Sequence, residues 1–309
     1  MKINYADKKI SSLLCLVAMF FWGSLFPMIK MGYNAFEIDV NSPASILLFA
    51  GIRFLICGIV LLILTFVRGK RIYVPEKSVF FPILLVALFA YVLHYTCTYI
   101  GLSHLESSKT ALIKQIGTLF IICFAFLFRK EDKFTISKLA GGILGFGSII
   151  AVNLNGLRLQ FSAYDFLVIM AAVCTVLSTI LSKNAYDKYD PLDVTAWAQL
   201  FGGVILLLIG LSMGGSIGKV DLRAAAILAY ICFASCTGYA LWNILLKYNN
   251  MSRLNTIKYT ETLFSAVCSW ILLGENIFKP EYLISFLLVC LGLLIGNNVI
   301  RLKRNKPGF

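Results

Sequence analysis

Residues 113–120 read IKQIGTLF, and residues 257–264, found 144 positions later, read IKYTETLF. Five of the eight positions are identical, and each segment places a lysine inside an apolar stretch. The same offset carries Glu131 onto Glu275. A sequence that repeats itself once, in apolar segments that contain charge, indicates a membrane protein built from two structural halves.

The composition around this repeat excludes a water-soluble globular domain. Hydrophobic residues make up 59% of the chain and charged residues 14%, and the mean hydropathy is +0.84. Such a chain has too little polar surface to cover a globule in water, so its solvent must be lipid. A helix of about 20 apolar residues crosses the hydrocarbon core and satisfies its own backbone hydrogen bonds. Ten such spans are predicted, at residues 11–33, 44–67, 78–103, 108–128, 136–153, 163–183, 192–213, 224–247, 254–273 and 280–300.

The basic residues predict the orientation of these spans. With the N-terminus in the cytoplasm, 20 of the 28 lysines and arginines lie in cytoplasmic segments and five lie outside. This distribution follows the positive-inside rule and predicts a plasma-membrane protein, in bacterial terms an inner-membrane protein, with both termini cytoplasmic. The net charge of +13 is therefore explained by membrane topology, and we expect no nucleic-acid partner.

Two further features have simple interpretations. The first apolar run is followed by nine others and lacks an evident cleavage site, so it is predicted to be a helix rather than a signal peptide. All nine cysteines fall in predicted spans without a CxxC pair, which favours reduced core thiols. We expect no metal and no cofactor.

The repeat divides the ten spans into five and five. The predicted units are residues 1–155 and 160–303, followed by a cytoplasmic basic tail at 304–309. Because five is odd, equivalent helices of the two units run in opposite directions across the membrane. The predicted fold is therefore an all-α membrane protein of ten transmembrane helices arranged as two inverted five-helix repeats. Such symmetry is compatible with alternating access.

Small residues predict the role of the last span in each half. Gly141 and Gly145 form a small-xxx-small face on span five, and Gly292 and Gly296 form one on span ten. Close backbone approach is a main source of helix association in lipid. We expect spans five and ten to be packing helices rather than to line a binding site.

Four motifs, in this order and spacing, resemble a known family. They are FFWGSLFPMIK at 20–30, GIRFLICG at 51–58, FRKED at 128–132 and LGENI at 273–277. Together they resemble the drug/metabolite transporter superfamily, EamA type, over nearly the whole chain. The resemblance implies ten helices in two inverted halves, with a central cavity lined mainly by spans one, three, four, six, eight and nine. It also implies transport of small organic metabolites, often the export of amino acids or related compounds.

The chain departs from this family at two positions. Thr118 and Thr262 stand where many members have proline in spans four and nine. A helix without proline is less kinked, so we expect straighter spans at both places.

Charged residues inside the spans are the first candidates for a binding site. Arg53 suits a substrate carboxylate, although we favour a structural pair with a carboxylate or carbonyl groups. Lys114, with Gln115 beside it, and Lys258 suit entrance charges for an anionic or zwitterionic solute, or they snorkel to the interface. Glu261 suits a substrate ammonium or a coupling proton, but we favour an i,i+3 pair with Lys258.

Aromatic residues with polar tips are the second group of candidates. On span three, aromatic side chains recur at i, i+4 and i+8, and span eight carries a similar group. Such faces suit an apolar or aromatic metabolite, and the alternatives are ordinary packing and an interfacial belt. We expect His94 to be a hydrogen-bonded packing residue. The aromatic candidates and their polar neighbours are Trp22, Tyr91, His94, Tyr95, Tyr239, Trp242 and Asn243.

Pro27 lies in the middle of span one and is predicted to act as a hinge. No catalytic motif and no ATP-binding loop appears in the sequence, which favours a secondary carrier over an enzyme or an ATP-driven pump. The alternative is a membrane ligand sensor or a passive channel that uses the same cavity. The predicted partners are a small-molecule substrate and the lipid bilayer. Substrate identity, direction, ion coupling and the choice between monomer and homodimer stay open.

Overall fold

The computed structural model describes residues 4–67, 77–128, 135–152, 154–155 and 158–296. Glu131 and the predicted basic tail at 304–309 lie outside these ranges. Within its described residues, the first half contains six α-helices: α1 (Lys8–Ala35), α2 (Pro43–Val67), α3 (Lys77–Ala87), α4 (His94–His104), α5 (Ser107–Phe124) and α6 (Ile136–Val152). A π-helix at Leu88–Leu93 joins α3 to α4 in one span, and a 3₁₀ turn at Ala125–Leu127 follows α5.

The second half begins after a short antiparallel pair of strands, β1 (Leu154–Asn155) and β2 (Arg158–Leu159). Its six helices are α7 (Ala163–Tyr186), α8 (Pro191–Ser212), α9 (Leu222–Tyr248), α10 (Met251–Lys258), α11 (Thr260–Leu273) and α12 (Pro280–Gly296). Ser162 caps α7 in a reciprocal capping box with Asp165, which explains why that helix begins where it does.

Seven of the described helical segments are long and apolar enough to cross a membrane. The chain is therefore a multi-pass, essentially all-helical membrane protein. Those seven coincide with predicted spans one to four and six to eight. The other three predicted spans are helical but shorter, because α6 and α12 have 17 described residues each and the ninth span is divided into α10 and α11.

Helices α2 and α8 pack so closely that their backbones nearly touch. A Cβ atom added at Gly51 would lie 2.4 Å from the backbone nitrogen of Leu207, and one at Gly58 would lie 2.6 Å from that of Leu200. Contacts closer to the C-terminal end of α2 are therefore closer to the N-terminal end of α8. The two helices are antiparallel.

Helices α6 and α12 pack in the same way. The 144-residue offset of the sequence repeat carries the bounds of α6 onto those of α12. A Cβ at Gly292 would lie 2.8 Å from the Gly141 carbonyl oxygen, whereas Gly147 faces Leu288. These contacts also run antiparallel, and the two helices contact each other closely, in keeping with their predicted packing role.

Two spans depart from regular α-helix near the centre of the bundle. The third contains the π-helix just before His94, and the ninth is interrupted at Tyr259, immediately after Lys258. Helix α5 is continuous through Thr118, and Thr262 lies inside α11, three residues after the interruption; the straightness expected at both places stays a prediction. Helix α1 continues through Pro27, and the hinge assigned to that residue stays a prediction.

Polar contacts define two faces of the bundle. Where α1 begins, Arg253 of α10 donates to the Lys8 carbonyl at 2.7 Å, and this is called the N-terminal face. At the other end of α1, Lys30 Nζ lies 3.8 Å from the Glu275 carboxylate, and this is called the opposite face. The same Glu275 accepts hydrogen bonds from the backbone nitrogens of Ser107 and Ser108, at 2.7 and 3.0 Å, and so caps α5.

Candidate functional site

A central cavity of about 80 Å³ lies between the helices. Its walls come from α1, α2, the third span, α5, α7, α9, α10 and α11, and thus from both halves of the chain. No residue of α6 or α12 is among the described lining residues. The predicted binding residues that line the cavity are Trp22, Arg53, Tyr91, His94, Tyr95, Lys114, Tyr239, Trp242, Asn243, Lys258 and Glu261.

Gln115 is the predicted residue that does not line this cavity. It is buried, and its side-chain carbonyl oxygen has no hydrogen-bond partner among the described residues. One step along an α-helix turns the side chain by about 100°. Gln115 therefore cannot share the helix face of its neighbour Lys114.

Arg53 is fully buried and is held by neutral groups. Its Nε and Nη2 atoms donate to Ser235 Oγ at 2.9 and 2.6 Å, and Nη1 donates to the Tyr99 hydroxyl. The guanidinium also lies 4.7 Å from the Phe54 ring centroid and 5.3 Å from that of Tyr95. Among the described residues no carboxylate lies within 4.0 Å of it. The expected pair with a carboxylate or carbonyl group is thus replaced by hydroxyls and rings, which orient the charge without cancelling it.

Lys258 lies beside two neighbouring indole rings. Its Nζ atom is 5.4 Å from the ring centroid of Trp22 and 5.2 Å from that of Trp242. The expected i,i+3 ion pair with Glu261 is not formed within 4.0 Å in the described chain. Tyr259, where α10 ends and α11 begins, lies between the two residues.

Lys114 has a matching environment. Its Nζ atom lies 4.9 Å from the ring centroid of Phe26, one helical turn from Trp22 on α1. Lys114 is the eighth residue of α5, and Lys258 is the eighth residue of α10. Residues at equivalent positions of the two sequence repeats therefore place ammonium groups over rings of the same helix.

Tyrosines from the two halves meet across the cavity. The hydroxyls of Tyr95 and Tyr239 are 2.7 Å apart, and these residues are separated by 144 positions, the offset of the sequence repeat. The Tyr239 ring also lies 5.2 Å from that of Tyr91 and 5.1 Å from that of Trp22. These rings form a continuous aromatic wall.

His94 is fixed by hydrogen bonds to α7. Its Nδ1 atom lies 3.0 Å from the Ala171 carbonyl oxygen and 3.0 Å from Thr175 Oγ1. A carbonyl oxygen only accepts, so Nδ1 carries the proton and Nε2 is left as an acceptor, 3.5 Å from Thr98 Oγ1. This arrangement agrees with the expected packing role.

A row of hydroxyls on α7 was missed by the sequence reasoning. Thr175, Ser178, Thr179 and Ser182 line the cavity at positions i, i+3, i+4 and i+7. Ser178 and Thr179 donate to the Thr175 carbonyl at 3.0 and 2.7 Å, which leaves their oxygens able to accept from a ligand. The signal was present in the sequence, because the hydroxyl residues of the stretch TVLSTILS recur with the period of an α-helix.

The remaining chemistry of the described chain is structural. It contains no group of three or more histidines, cysteines and acids that could hold a metal ion. All nine cysteines are free thiols, as predicted. The cavity therefore offers cations, one carboxylate, hydroxyls and rings, which bind solutes rather than carry out a reaction.

A bundle of apolar helices around a charged, aromatic cavity defines a membrane transport protein. The chain belongs to the EamA-like transporter family, whose model matches residues 9–154 and, a second time, residues 162–297. This confirms the resemblance seen in the motifs. The protein is therefore a multi-pass membrane transporter, not an enzyme.

Named relatives agree with this assignment. The uncharacterized transporter YvbV of Bacillus subtilis (strain 168) is 28% identical, over 87% of this chain and 85% of the relative. An S-adenosylmethionine/S-adenosylhomocysteine transporter of Chlamydia muridarum (strain MoPn / Nigg) is 25% identical, over 88% of this chain and 87% of the relative. A solved crystal structure, described only as that of a protein, aligns with a TM-score of 0.70 at 17% identity and covers 95% of this chain and 98% of the other. That last similarity concerns the fold alone.

Proposed function

We propose that this transporter is a secondary carrier that exports small organic metabolites, amino acids or related compounds, by alternating access. The central cavity is its substrate site. The observation that carries the proposal is that both family-matched segments contribute equivalent residues to this one cavity, above all Lys114 and Lys258. A site shared between two halves changes its access when the halves rearrange around it.

The architecture proposed for this mechanism is ten membrane helices in two inverted repeats, at residues 1–155 and 160–303. The antiparallel contacts of α2 with α8 and of α6 with α12 support it, because each of these pairs joins equivalent spans of the two halves. In this arrangement the remaining three of the ten membrane helices are α6, α12 and the divided ninth span. The N-terminal face is cytoplasmic in the plasma membrane, as the distribution of basic residues indicates.

The cavity supports a zwitterionic substrate with a planar or apolar part. Three cationic side chains and the carboxylate of Glu261 line it, beside the aromatic wall of Trp22, Tyr91 and Tyr239. A substrate carboxylate suits the guanidinium fork of Arg53, and a substrate ammonium suits Glu261. The relative named for S-adenosylmethionine and S-adenosylhomocysteine, two amino-acid derivatives, is consistent with this class.

The proposal is tested by counterflow in proteoliposomes that contain the purified protein. Amino acids, aromatic amines and S-adenosyl compounds are screened at two pH values, and saturable exchange of at least one is the expected result. A membrane sensor would bind without flux, and a passive channel would give flux without counterflow. Either result would replace the carrier mechanism with the corresponding alternative.

A further inference from the structure

We propose that Lys114 and Lys258 form a two-position site for one anionic group of the substrate, which binds mainly to Lys258 when the cavity is open to the N-terminal face and mainly to Lys114 when it is open to the opposite face. This inference rests on the proposed carrier function. It adds that two equivalent lysines of the repeat bind the anionic group from different faces of the membrane.

The positions of the lysines along the membrane normal are the first support. Helix α10 begins next to the start of α1, since Arg253 bonds to the Lys8 carbonyl. Helix α5 begins at the opposite face, where Glu275 caps its first residues. Each lysine is the eighth residue of its helix, so each lies about 10 Å inward from a different face.

The lack of a direct ion pair is the second support. In the described chain neither ammonium forms an ion pair within 4.0 Å, although both are inside the bundle. Each is held over aromatic rings, which attract a cation but do not cancel its charge. Glu261 is the one acid among the described lining residues, against three cations. An anionic ligand group is therefore the partner that both lysines lack.

Helix α1 connects the two positions. Lys114 lies over Phe26 and Lys258 lies over Trp22, and these rings are four residues apart on α1. That separation corresponds to about 6 Å along the helix axis. An anionic group that moves by one turn along α1 would therefore exchange one lysine for the other within the same cavity.

The two positions differ in one respect. Lys258 has a second ring, that of Trp242, whereas one ring contact with Phe26 is found for Lys114 among the described residues. Lys114 and Lys258 thus occupy equivalent positions in the two halves but differ in the number of aromatic rings that they contact. Measurements from the two faces should distinguish them.

The test uses proteoliposomes sorted by protein orientation and a substrate found in the counterflow screen. Lys258→Gln is expected to raise KM about tenfold for substrate added at the N-terminal face and to change it less than about twofold at the opposite face. Lys114→Gln is expected to give the reverse pattern. Lys258→Arg and Lys114→Arg should restore most of the affinity, because they retain the charge. Lys219→Gln, in the exposed α8–α9 connection, serves as a control for loss of one positive charge.

A substrate analogue in which an amide replaces the anionic group provides a second readout on the wild-type protein. Its binding should be weak from both faces and insensitive to either glutamine substitution. Equal KM changes from both faces, or an amide analogue that binds as well as the anion, would overturn the two-position site. Failure of the wild-type protein to exchange any substrate would instead refute the carrier function itself.

Discussion

Arg53 shows how a buried charge is arranged in this transporter. Its guanidinium is oriented by Ser235 and Tyr99 and packed against Phe54 and Tyr95, so its geometry is fixed before any ligand arrives. A preorganised donor loses little conformational entropy when it binds a carboxylate. Among residues of the described chain it has no acid to neutralise it. These properties are the ones that the proposed role in binding a substrate carboxylate requires.

Replacement of Arg53 by glutamine is therefore expected to reduce substrate affinity by at least about tenfold. Lysine at this position keeps the charge but cannot reproduce the paired donation to Ser235 Oγ, so Arg53→Lys should be intermediate. The measurement is the KM for counterflow, with size-exclusion chromatography of each variant as the control for folding. Unchanged KM together with loss of folded protein would assign Arg53 to structure alone.

Glu106 illustrates an electrostatic contact outside the membrane spans. Burial by itself raises the pKa of this carboxyl, but hydrogen bonds from Tyr282 and Lys279 outweigh burial and hold its pKa below the usual value. A carboxyl whose pKa is lowered in the folded state stabilises that state at pH values above the ordinary pKa of about 4.3. The stabilisation is lost as the pH falls through the lowered pKa.

We therefore expect the melting temperature of Glu106→Gln to lie below that of the wild type at neutral pH. The difference should shrink as the pH is lowered below about 4.3, because the wild-type carboxylate becomes protonated. Thermal unfolding of the detergent-solubilised protein across this range measures the effect. Because Glu106 is partly exposed, the difference will be modest. A difference independent of pH would show that the contact does not depend on charge.

At the scale of the elements, the tightest contact between the two halves is that of α2 with α8. It depends on glycines, since a methyl group at Gly51 would meet the backbone of Leu207 rather than a movable side chain. The helices would have to separate to accommodate it. Backbone approach of this kind replaces the hydrophobic driving force that helices lack in lipid.

Gly51→Ala is accordingly expected to destabilise the protein by about 1–3 kcal/mol, as overpacking typically does. Gly147→Ala is the matched control, because an added Cβ there meets only the Leu288 side chain, at an ordinary 3.7 Å. Both changes give the same gain in helix propensity, so the difference between them reports packing. Equal stabilities of the two variants in chemical denaturation would show that α2 and α8 are less closely packed in the membrane.

At the scale of the whole molecule, the proposed architecture places the two halves in opposite orientations. Because α8 is long enough to cross the membrane, the α7–α8 and α8–α9 connections at its two ends are expected on opposite faces, and the proposed orientation places the first on the cytoplasmic side. Lys188 and Lys219 are exposed residues in these connections. Both are suitable positions for labelling.

The substitutions Lys188→Cys and Lys219→Cys are made separately in a protein that lacks the nine native cysteines. The two new thiols are expected to differ in their accessibility to a reagent added outside the cell. A membrane-impermeant thiol reagent added to intact cells should label the cysteine at 219 and leave the one at 188 unlabelled until the membrane is opened. The reverse pattern would invert the orientation but retain the repeat. Glu131 and Glu275 are a second pair for this comparison, and labelling of both from the same side would refute the inverted repeat.

The sequence alone predicted the membrane class, the bounds of most spans, the two-fold repeat and about half of the residues of the cavity wall, the hydroxyl row of α7 being missed. These properties depend on apolar segment length and on residue spacing along one helix, and both are local features of a chain. The tertiary structure decided which partner each charged side chain has. Arg53 bonds to Ser235, 182 positions away, and Lys258 of α10 lies over Trp22 of α1 rather than in an ion pair with Glu261. Such contacts depend on distances between helices and on irregular backbone, which no local pattern specifies.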